Sequence, residues 1–325
     1  MLRPSGPTLV TGAAGFIGAH LVAELLRQGT PVTALDRIPW KEAVRLHSLD
    51  HAEGLTYRTA DLGAGHDLSG LAQGHPVVYH LSANTENRPD RSARLGDLQD
   101  TVAATVGLLE ACAGTEPLTV VLASSQLVYA PDPAQGTITE ATGRVRPVTR
   151  FAAGKAAAEA FLSAYAHERG WRTAACRLSN IVGPGMRRGI LADIVRGLSA
   201  DPRRIRLLGD GRQTRSYLHV SDCVDALIRA SALEDVHTAV NVCNTDAISA
   251  VEVAAVAAEE FPHGSPDILT TGGDRGWQGD LPTLRVHPEV LLAQGWRPAM
   301  SSGSAVRATV RALLGEQSTI AADAV

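Results

Sequence analysis

Three glycines at three-residue spacing, Gly12, Gly15 and Gly18, join a short apolar run to an amphipathic segment. A strand, a glycine loop and a helix in this order bind a pyrophosphate. Backbone N–H groups and the helix dipole face the anion, and a Cβ at the tight positions would block it. Asp36 follows about 20 residues later, where a carboxylate can hold both hydroxyls of an adenosine ribose. A glycine turn that merely joins two packed elements would explain less of this pattern than a dinucleotide site does. We therefore predict that this stretch binds a dinucleotide.

The elements that must position this loop are strands alternating with helices. The segments 8–11, 32–35, 55–59, 77–81, 118–123 and 172–178 are predicted to be strands, most of them apolar, and the helical patterns between them include 94–113 and 151–169. This alternation predicts an α/β fold of the Rossmann type, a doubly wound parallel sheet with right-handed crossovers. Ligands of such sheets bind at the carboxyl ends of the strands, so the residues after each strand are expected to form one site.

Composition limits what else the chain can be. Its 325 residues, 45% of them hydrophobic, are enough for a large core or two domains. We predict a dinucleotide-binding domain over 1–179 and a smaller C-terminal substrate-binding domain over 180–325, with some chain returning to the sheet. A net charge of -4 gives no basic excess for nucleic acid or a membrane surface. No apolar stretch reaches transmembrane length, and residues 1–7 are too short and polar for a signal peptide.

The cysteines and two of the histidines predict no metal site. Cysteines occur at positions 112, 176, 223 and 243, without metal-ligand spacing and each in an apolar run. They predict buried free thiols in a reducing cytoplasm. His80 and His219 fall in strand and loop motifs, and we interpret both as structural hydrogen-bonding groups.

Several motifs follow one another along the chain, and with them the sequence resembles the extended short-chain dehydrogenase/reductases, in particular the nucleotide-sugar epimerases and dehydratases. The resemblance covers nearly the whole chain and rests on Thr11 to Gly18, Asp61-Leu62, His80 to Ala83, Ser124 to Tyr129, Lys155, Arg177 to Pro184 and Arg215 to Asp222. Agreement of several motifs in order and spacing is a stronger signal than any one of them.

The resemblance implies a bound NAD. The residues that match the family's cofactor positions are Gly12, Ala14, Gly15, Phe16, Ile17, Gly18, Asp36, Arg37, Asp61, Leu62, Leu81, Ser82, Ala83 and Lys155. Asp36 repels a 2′-phosphate and therefore favours NAD, whereas Arg37 beside it leaves NADP open.

The resemblance also implies a reaction. Members of this family oxidise a nucleotide sugar at C4 to a 4-keto intermediate and reduce it again. Their catalytic Tyr removes the hydroxyl proton, and a Lys four residues later holds the nicotinamide ribose and lowers the pKa of the Tyr. A Ser or Thr after the preceding strand hydrogen-bonds the same sugar oxygen. Ser125 and Lys155 match two of these groups, but Phe151 stands at the position of the Tyr and has no hydroxyl to transfer a proton.

Three explanations of Phe151 stay open. It can be a deliberate replacement of the catalytic Tyr, which would leave an inactivated or impaired enzyme in an otherwise intact motif. It can mark a natural variant that uses another base, such as Tyr129 or Glu86. It can also mark a catalytically silent dinucleotide-binding or sensor protein.

The two positions after Ser125 separate branches of the family. Sugar 4,6-dehydratases usually carry an Asp-Glu pair there, and related UDP-glucuronate decarboxylases carry a Glu at the second position. Gln126 and Leu127 occupy these positions here, and neither can act as an acid or a base. The sequence therefore favours 4-epimerisation of a UDP-hexose or UDP-hexuronate, with a dehydratase or reductase that uses a different base as the alternative.

Substrate contacts are expected mainly from the C-terminal half. Arg215 and Arg275 match positions that grip the diphosphate, for which the arginine fork is suited, and Asn180 matches a contact to the sugar or the diphosphate. Ser125, Thr85 and Gln126 are expected to line the sugar pocket. Thr85 fits a solvated loop equally well, and Gln126 can instead pack behind the strand. Arg187 and Arg188 could bind the carboxylate of a uronate. The simpler interpretation is a pair of exposed arginines with no ligand.

A homodimer is the expected assembly. The helices predicted over 94–113 and 151–169 are rich in Ala and Leu on more than one face, and the equivalent pair forms a four-helix dimer interface in the family. Burial of these faces inside one subunit is the alternative. No nucleic acid or membrane partner is expected.

Overall fold

The computed structural model describes residues 6–63, 68, 70–85, 95–115, 118–129, 136–273, 276 and 284–323. Its strands are β1 (Thr8–Thr11), β2 (Val32–Asp36), β3 (Leu55–Thr59), β4 (Val77–His80), β5 (Thr119–Ser125), β6 (Arg172–Leu178), β7 (Asn180–Val182), β8 (Arg204–Leu207), β9 (Thr214–Arg215), β10 (Tyr217–His219), β11 (His237–Val242), β12 (Ile248–Ser249) and β13 (Asp267–Thr270). Its α-helices are α1 (Phe16–Arg27), α2 (Ala104–Ala111), α3 (Arg150–Arg169), α4 (Ile190–Ala200), α5 (Val220–Ala230), α6 (Ala250–Glu260), α7 (Glu289–Ala293) and α8 (Ser302–Asp323).

Seven strands form one parallel sheet in the order β11-β6-β5-β4-β1-β2-β3. This order reverses between β1 and β4, and the crevice at such a reversal is where doubly wound sheets bind ligands. β1, β4 and β5 are fully buried, which explains their near-continuous apolar sequences. The predicted Rossmann-type fold is confirmed.

Two predicted elements differ from the structure near the site. β5 was expected over 118–123 but extends through Ser125, because Ser124 and Ser125 pair in register with Arg177 and Leu178 of β6. The helix predicted over 94–113 begins with a π-helical segment, Asp97–Ala103, and ends with α2 at Ala111. Such wider turns are frequent at functional sites. Arg94 lies outside the described residues.

The chain after residue 180 contributes to both parts of the fold. β11 pairs with β6 along its whole length, so this half of the chain does return to the edge of the main sheet. The rest builds a separate apolar cluster under α4, α6 and α8, with the strand pairs β7–β10, β8–β13 and β9–β12. The division into domains at residues 179 and 180 stays a prediction.

No helix in the described part of the chain is long and apolar enough to cross a membrane. The cysteines at 112, 176, 223 and 243 are buried free thiols, as predicted.

Candidate active site

The glycine loop after β1 is shaped by close backbone approaches. Gly12 has φ +66°, and a Cβ built on it would lie 2.7 Å from the backbone nitrogen of Ser82. A Cβ on Gly18 would overlap the carbonyl oxygen of Gly12. α1 begins at Phe16 without a side-chain cap on its first N–H groups, so this end can receive an anion. The loop therefore fits the pyrophosphate of a dinucleotide.

We expect Gly18→Ala to disrupt this loop. The added methyl must displace the Gly12 carbonyl, which should lower the free energy of unfolding by ~1–3 kcal/mol and weaken NAD binding about tenfold or more. Thermal unfolding and a fluorescence titration with NAD measure both effects. Gly197→Ala is the matched control, because it lies inside α4 with nothing within 4 Å of the new Cβ. Equal behaviour of the two variants would contradict the prediction.

The carboxylate of Asp36 is fixed at the end of β2. Its Oδ2 accepts the N–H of Ala14 at 3.0 Å, and its Oδ1 accepts the N–H of Ile38 at 3.3 Å. Arg37 forms an exposed ion pair with Asp100, with Nη1 3.3 Å from Oδ2. A held carboxylate and an arginine already paired with Asp100 are consistent with an unphosphorylated ribose.

A cleft of about 190 Å³ opens beside the glycine loop at the carboxyl ends of the strands. Its walls are formed by Gly12, Gly15, Asp36, Arg37, Ala60, Asp61, Leu62, Gly63, Leu81, Ser82, Ala83, Thr85, Asp100 and Ala104. The cleft thus collects predicted cofactor residues from four separate strand ends. Thr85, which we assigned to the sugar pocket, also lies on this wall, and Arg188 donates to its hydroxyl at 3.3 Å.

The remaining predicted cofactor residues lie outside this wall. Ala14 and Gly18 are part of the glycine loop and the first turn of α1. Phe16 packs against the C-terminal apolar cluster, and Ile17 packs against the core of the main sheet. Both side chains therefore also contribute to packing of the fold. Lys155 approaches from α3.

Ser125 ends β5, and Phe151 and Lys155 lie in the first turns of α3, from which Lys155 reaches back to β5. Ser125 Oγ accepts the N–H of Leu127 at 3.2 Å. Lys155 is 5% exposed, and its Nζ donates to the carbonyl oxygen of Ala123 at 2.6 Å. Burial lowers the pKa of Lys155 to about 8, and the charge of Glu159 opposes that shift. Phe151, half-buried, precedes Lys155 by one turn on the same face of α3.

A buried polar network lies directly behind these residues. The guanidinium of Arg177 donates from Nη2 to Glu159 Oε2 at 2.7 Å and from Nε to Oε1 at 3.1 Å. Ser124 donates its hydroxyl to the same carboxylate. Sequence reasoning missed Glu159, although its position four residues after Lys155 places it on the same helix face.

The network ends on Tyr129, which we had considered as an alternative base. Its hydroxyl accepts from Arg177 Nη1 at 2.9 Å and donates to Asn241 Oδ1 at 2.7 Å, and the residue has no exposed surface. Burial raises the pKa of Tyr129, with Arg177 opposing the shift. A paired and inaccessible hydroxyl cannot reach a substrate, so that alternative is wrong. Glu86 lies outside the described residues.

The two histidines are structural, as predicted. His80 Nδ1 lies 2.7 Å from Thr11 Oγ1 and its Nε2 lies 3.0 Å from Thr105 Oγ1. Burial and the charge of Lys155 lower the pKa of His80 to about 3, so its ring is neutral. His219 caps α5 by accepting the N–H of Ser221. Within the described ranges, no group of His, Cys, Asp and Glu is arranged to hold a metal ion.

Predicted substrate residues come together on neighbouring short strands. Asn180 Nδ2 donates to the carbonyl oxygen of Ser216 at 3.3 Å, which places it beside Arg215. Arg215 is partly buried on β9. Gln126 is 4% exposed, and its Oε1 has no hydrogen-bond partner among the described residues. Arg275 lies outside the described residues.

Comparisons with known proteins agree with this geometry. A family model described as the NAD dependent epimerase/dehydratase family matches residues 8–243. UDP-glucose 4-epimerase of Mycolicibacterium smegmatis is 32% identical over 318 residues, which cover 93% of this chain and 97% of that protein. UDP-N-acetyl-alpha-D-glucosaminuronate decarboxylase of Bacillus cytotoxicus is 28% identical over 322 residues, covering 88% and 94%. The solved structure of MoeE5 in complex with UDP-glucose and NAD has a TM-score of 0.82 at 28% identity, covering 97% and 100%.

Fold and cleft define a dinucleotide-binding protein of the Rossmann class. The chain belongs to the NAD-dependent epimerase/dehydratase family, and its cofactor is NAD. The similar proteins are named for different reactions: one is an epimerase and another is a decarboxylase.

Proposed function

We propose that this chain is a nucleotide-sugar 4-epimerase that acts on a UDP-hexose or UDP-hexuronate and is impaired by Phe151. The observation that carries the proposal is the carboxyl end of β5. Ser125 ends this strand and Lys155 reaches the Ala123 carbonyl of the same strand from α3, while the next two side chains, Gln126 and Leu127, cannot ionise. Elimination of water and decarboxylation would need an acid or base at these positions.

Each residue has a defined task in this reaction. Bound NAD supplies the hydride acceptor and donor for the C4 position of the sugar. Ser125 accepts the Leu127 N–H through Oγ, which leaves its own O–H to donate to the sugar oxygen at C4. Lys155 holds the nicotinamide ribose from inside the protein. Phe151 supplies a ring but no proton, and the enzyme is impaired for that reason.

The substrate diphosphate provides the first experiment. We expect UDP to bind in calorimetry and Arg215→Ala to weaken it about 10–100-fold, because a hydrogen bond to a charged group contributes ~1.5–3 kcal/mol. Arg204→Ala, on the exposed face of β8, is the matched control and should change nothing. The alternative of a silent NAD-binding sensor, one of the three explanations of Phe151, predicts NAD binding without affinity for UDP.

We further propose a homodimer through the helices around 97–111 and α3. Leu95, Leu98 and Phe161 are 58%, 56% and 43% exposed, although α2 and α3 pack against each other. Large apolar side chains exposed together on neighbouring helices are typical of an interface. The buried thiols are consistent with a reducing compartment, and we propose a cytoplasmic location.

We expect the double variant Leu98→Glu/Phe161→Glu to shift the protein to monomer. Two carboxylates would have to be desolvated in the proposed interface, whereas both are hydrated in a monomer. Sedimentation measures the change. Leu208→Glu is the control, because Leu208 is similarly exposed, at 54%, after β8. A wild-type protein that sediments as a monomer would refute the dimer.

A further inference from the structure

The cleft beside the glycine loop is lined by more carboxylates than cations. Among the described residues that line it, Asp36, Asp61 and Asp100 are acidic, and Arg37 is the one basic residue. Arg37 directly follows the carboxylate that is suited to the ribose hydroxyls. An arginine near this carboxylate is the group that can accept a ribose 2′-phosphate in such folds. What Arg37 is paired with therefore bears on which dinucleotide the cleft accepts.

The partner of Arg37 is a second residue of the cleft wall. Its Nη1 lies 3.3 Å from Oδ2 of Asp100, with the two side chains 63% and 36% exposed. Asp100 comes from the π-helical segment Asp97–Ala103, far from Arg37 in the chain. Among the described residues, no other carboxylate forms an ion pair with Arg37. Removal of the charge of Asp100 would therefore release the guanidinium.

The segment that carries Asp100 is anchored to the loop after β4. The side-chain amide of Asn84 donates to Asp97 Oδ1 at 2.9 Å, and the backbone N–H of Asn84 donates to Thr101 Oγ1 at 3.1 Å. Thr101 itself is buried. These contacts lie before and after Asp100 in the segment, so its carboxylate is presented to Arg37 from a fixed element.

The other two carboxylates of the cleft are engaged differently. Asp36 accepts backbone N–H groups through both of its oxygens, and Asp61 Oδ1 accepts the N–H of Gly63 at 2.9 Å. Asp100, in contrast, is paired with the side chain of Arg37. Of the three acidic residues, Asp100 is thus the one whose charge is matched to the only described cation of the cleft wall.

We propose that Asp100 is a specificity residue for the cofactor and keeps the chain selective for NAD by occupying the guanidinium of Arg37. A 2′-phosphate brings a charge of about −1.5 to −2 into a cleft already rich in carboxylates. Arg37 can neutralise that charge fully only when its pair with Asp100 breaks. An unphosphorylated ribose requires no such change. The inference concerns the cofactor alone and holds whichever sugar-nucleotide reaction the chain carries out.

The affinities for NAD and NADP test this role. Both Kd values are measured by calorimetry on protein freed of bound nucleotide, and their ratio is compared between variants. Asp100→Asn keeps the shape of the side chain and removes its charge. We expect it to raise the affinity for NADP relative to NAD about three- to fivefold, because an exposed ion pair is held by a factor of up to about five. An unchanged ratio would overturn the proposal.

A matched control separates this effect from the general loss of a negative charge. Asp225→Asn removes a carboxylate from another exposed pair, with Arg229 on α5. Neither residue lines the cleft, so the ratio of the two Kd values should stay as in the wild type. The same gain in Asp225→Asn as in Asp100→Asn would refute a specific role of Asp100.

A double variant shows whether Asp100 acts through Arg37. In Arg37→Met there is no guanidinium to release, so the further change Asp100→Asn should alter the ratio less than about twofold. If Arg37→Met/Asp100→Asn gains as much over Arg37→Met as Asp100→Asn gains over the wild type, Asp100 repels the phosphate directly. That result would overturn the proposal.

A spectroscopic readout follows Arg37 itself. In Asp100→Asn labelled with ¹⁵N at arginine Nε, the Arg37 signal is identified by its absence when Arg37→Met is added. We expect saturating NADP to move this signal further than saturating NAD does, since the 2′-phosphate is the only difference between the two nucleotides. Equal movement with both would show that Arg37 does not bind the 2′-phosphate, and the proposal would fall.

Discussion

Phe151→Tyr is expected to raise turnover with the correct UDP-sugar by about 10²–10⁴-fold, the usual contribution of a positioned general acid and base. The new hydroxyl would lie one helical turn before Lys155 on the same helix, and we expect Lys155 and Ser125 to be the groups that prepare it for proton transfer. The cation of Lys155 would lower the pKa of this tyrosine. Epimerisation is measured by separating the UDP-sugars after incubation, and NADH absorbance reports the half-reaction.

The control lies on the same helix. Phe161→Tyr adds a hydroxyl to a side chain of α3 that is 43% exposed and ten residues further along, and it should leave turnover unchanged. If Phe151→Tyr is inactive with every common UDP- and dTDP-sugar, the site is not an epimerase site that lacks only its hydroxyl. In that case the sensor alternative gains support.

Arg177→Met is expected to lower the free energy of unfolding by ~3–5 kcal/mol. Arg177 and Glu159 are both buried, with side chains 8% and 7% exposed, and removal of the cation leaves an uncompensated carboxylate in the interior. The same substitution removes the donor to Tyr129. Urea unfolding followed by circular dichroism measures the loss.

Two comparisons test the cause of that loss. Arg229→Met breaks the exposed pair with Asp225 on α5 and should cost at most ~1 kcal/mol. Arg177→Met/Glu159→Met removes both buried charges together and should be more stable than Arg177→Met alone. A double variant as unstable as the single one would show that packing, rather than the unpaired charge, carries the effect.

The cofactor side of the site was largely predictable from the sequence because its signals are local. Gly12, Gly15 and Gly18 lie within seven residues, and Asp36 ends the next strand along the chain. Strand patterns in the sequence identified β1, β3 and β6 to the residue. Buried parallel strands are largely apolar, which accounts for β1 and β6, whereas β3 at the edge of the sheet is only partly buried. Cleft residues such as Asp61 and Ser82 followed from the rule that ligands bind beyond the strand ends.

On the catalytic side, the sequence predicted which residues form the site but not the buried contacts behind them. Spacing alone placed Phe151 and Lys155 on one face of a helix, and α3 confirms this. Nothing local showed that Glu159 would be paired with Arg177 or that Tyr129 would be sealed from substrate. These contacts join residues 18 and 48 positions apart in the chain.

The sequence by itself determined the dinucleotide loop, the alternation of strands and helices and the missing hydroxyl at Phe151, because each is written in neighbouring residues. Tertiary structure alone decided what surrounds Lys155. The register of β5 on β6 sets Ser124 opposite Arg177, and this alignment brings the guanidinium to Glu159. Among the described residues, the buried Lys155 amine has one hydrogen-bond acceptor, the neutral carbonyl oxygen of Ala123. Register and burial depend on the whole sheet, so the surroundings of Lys155 are a property of the fold and not of its motif.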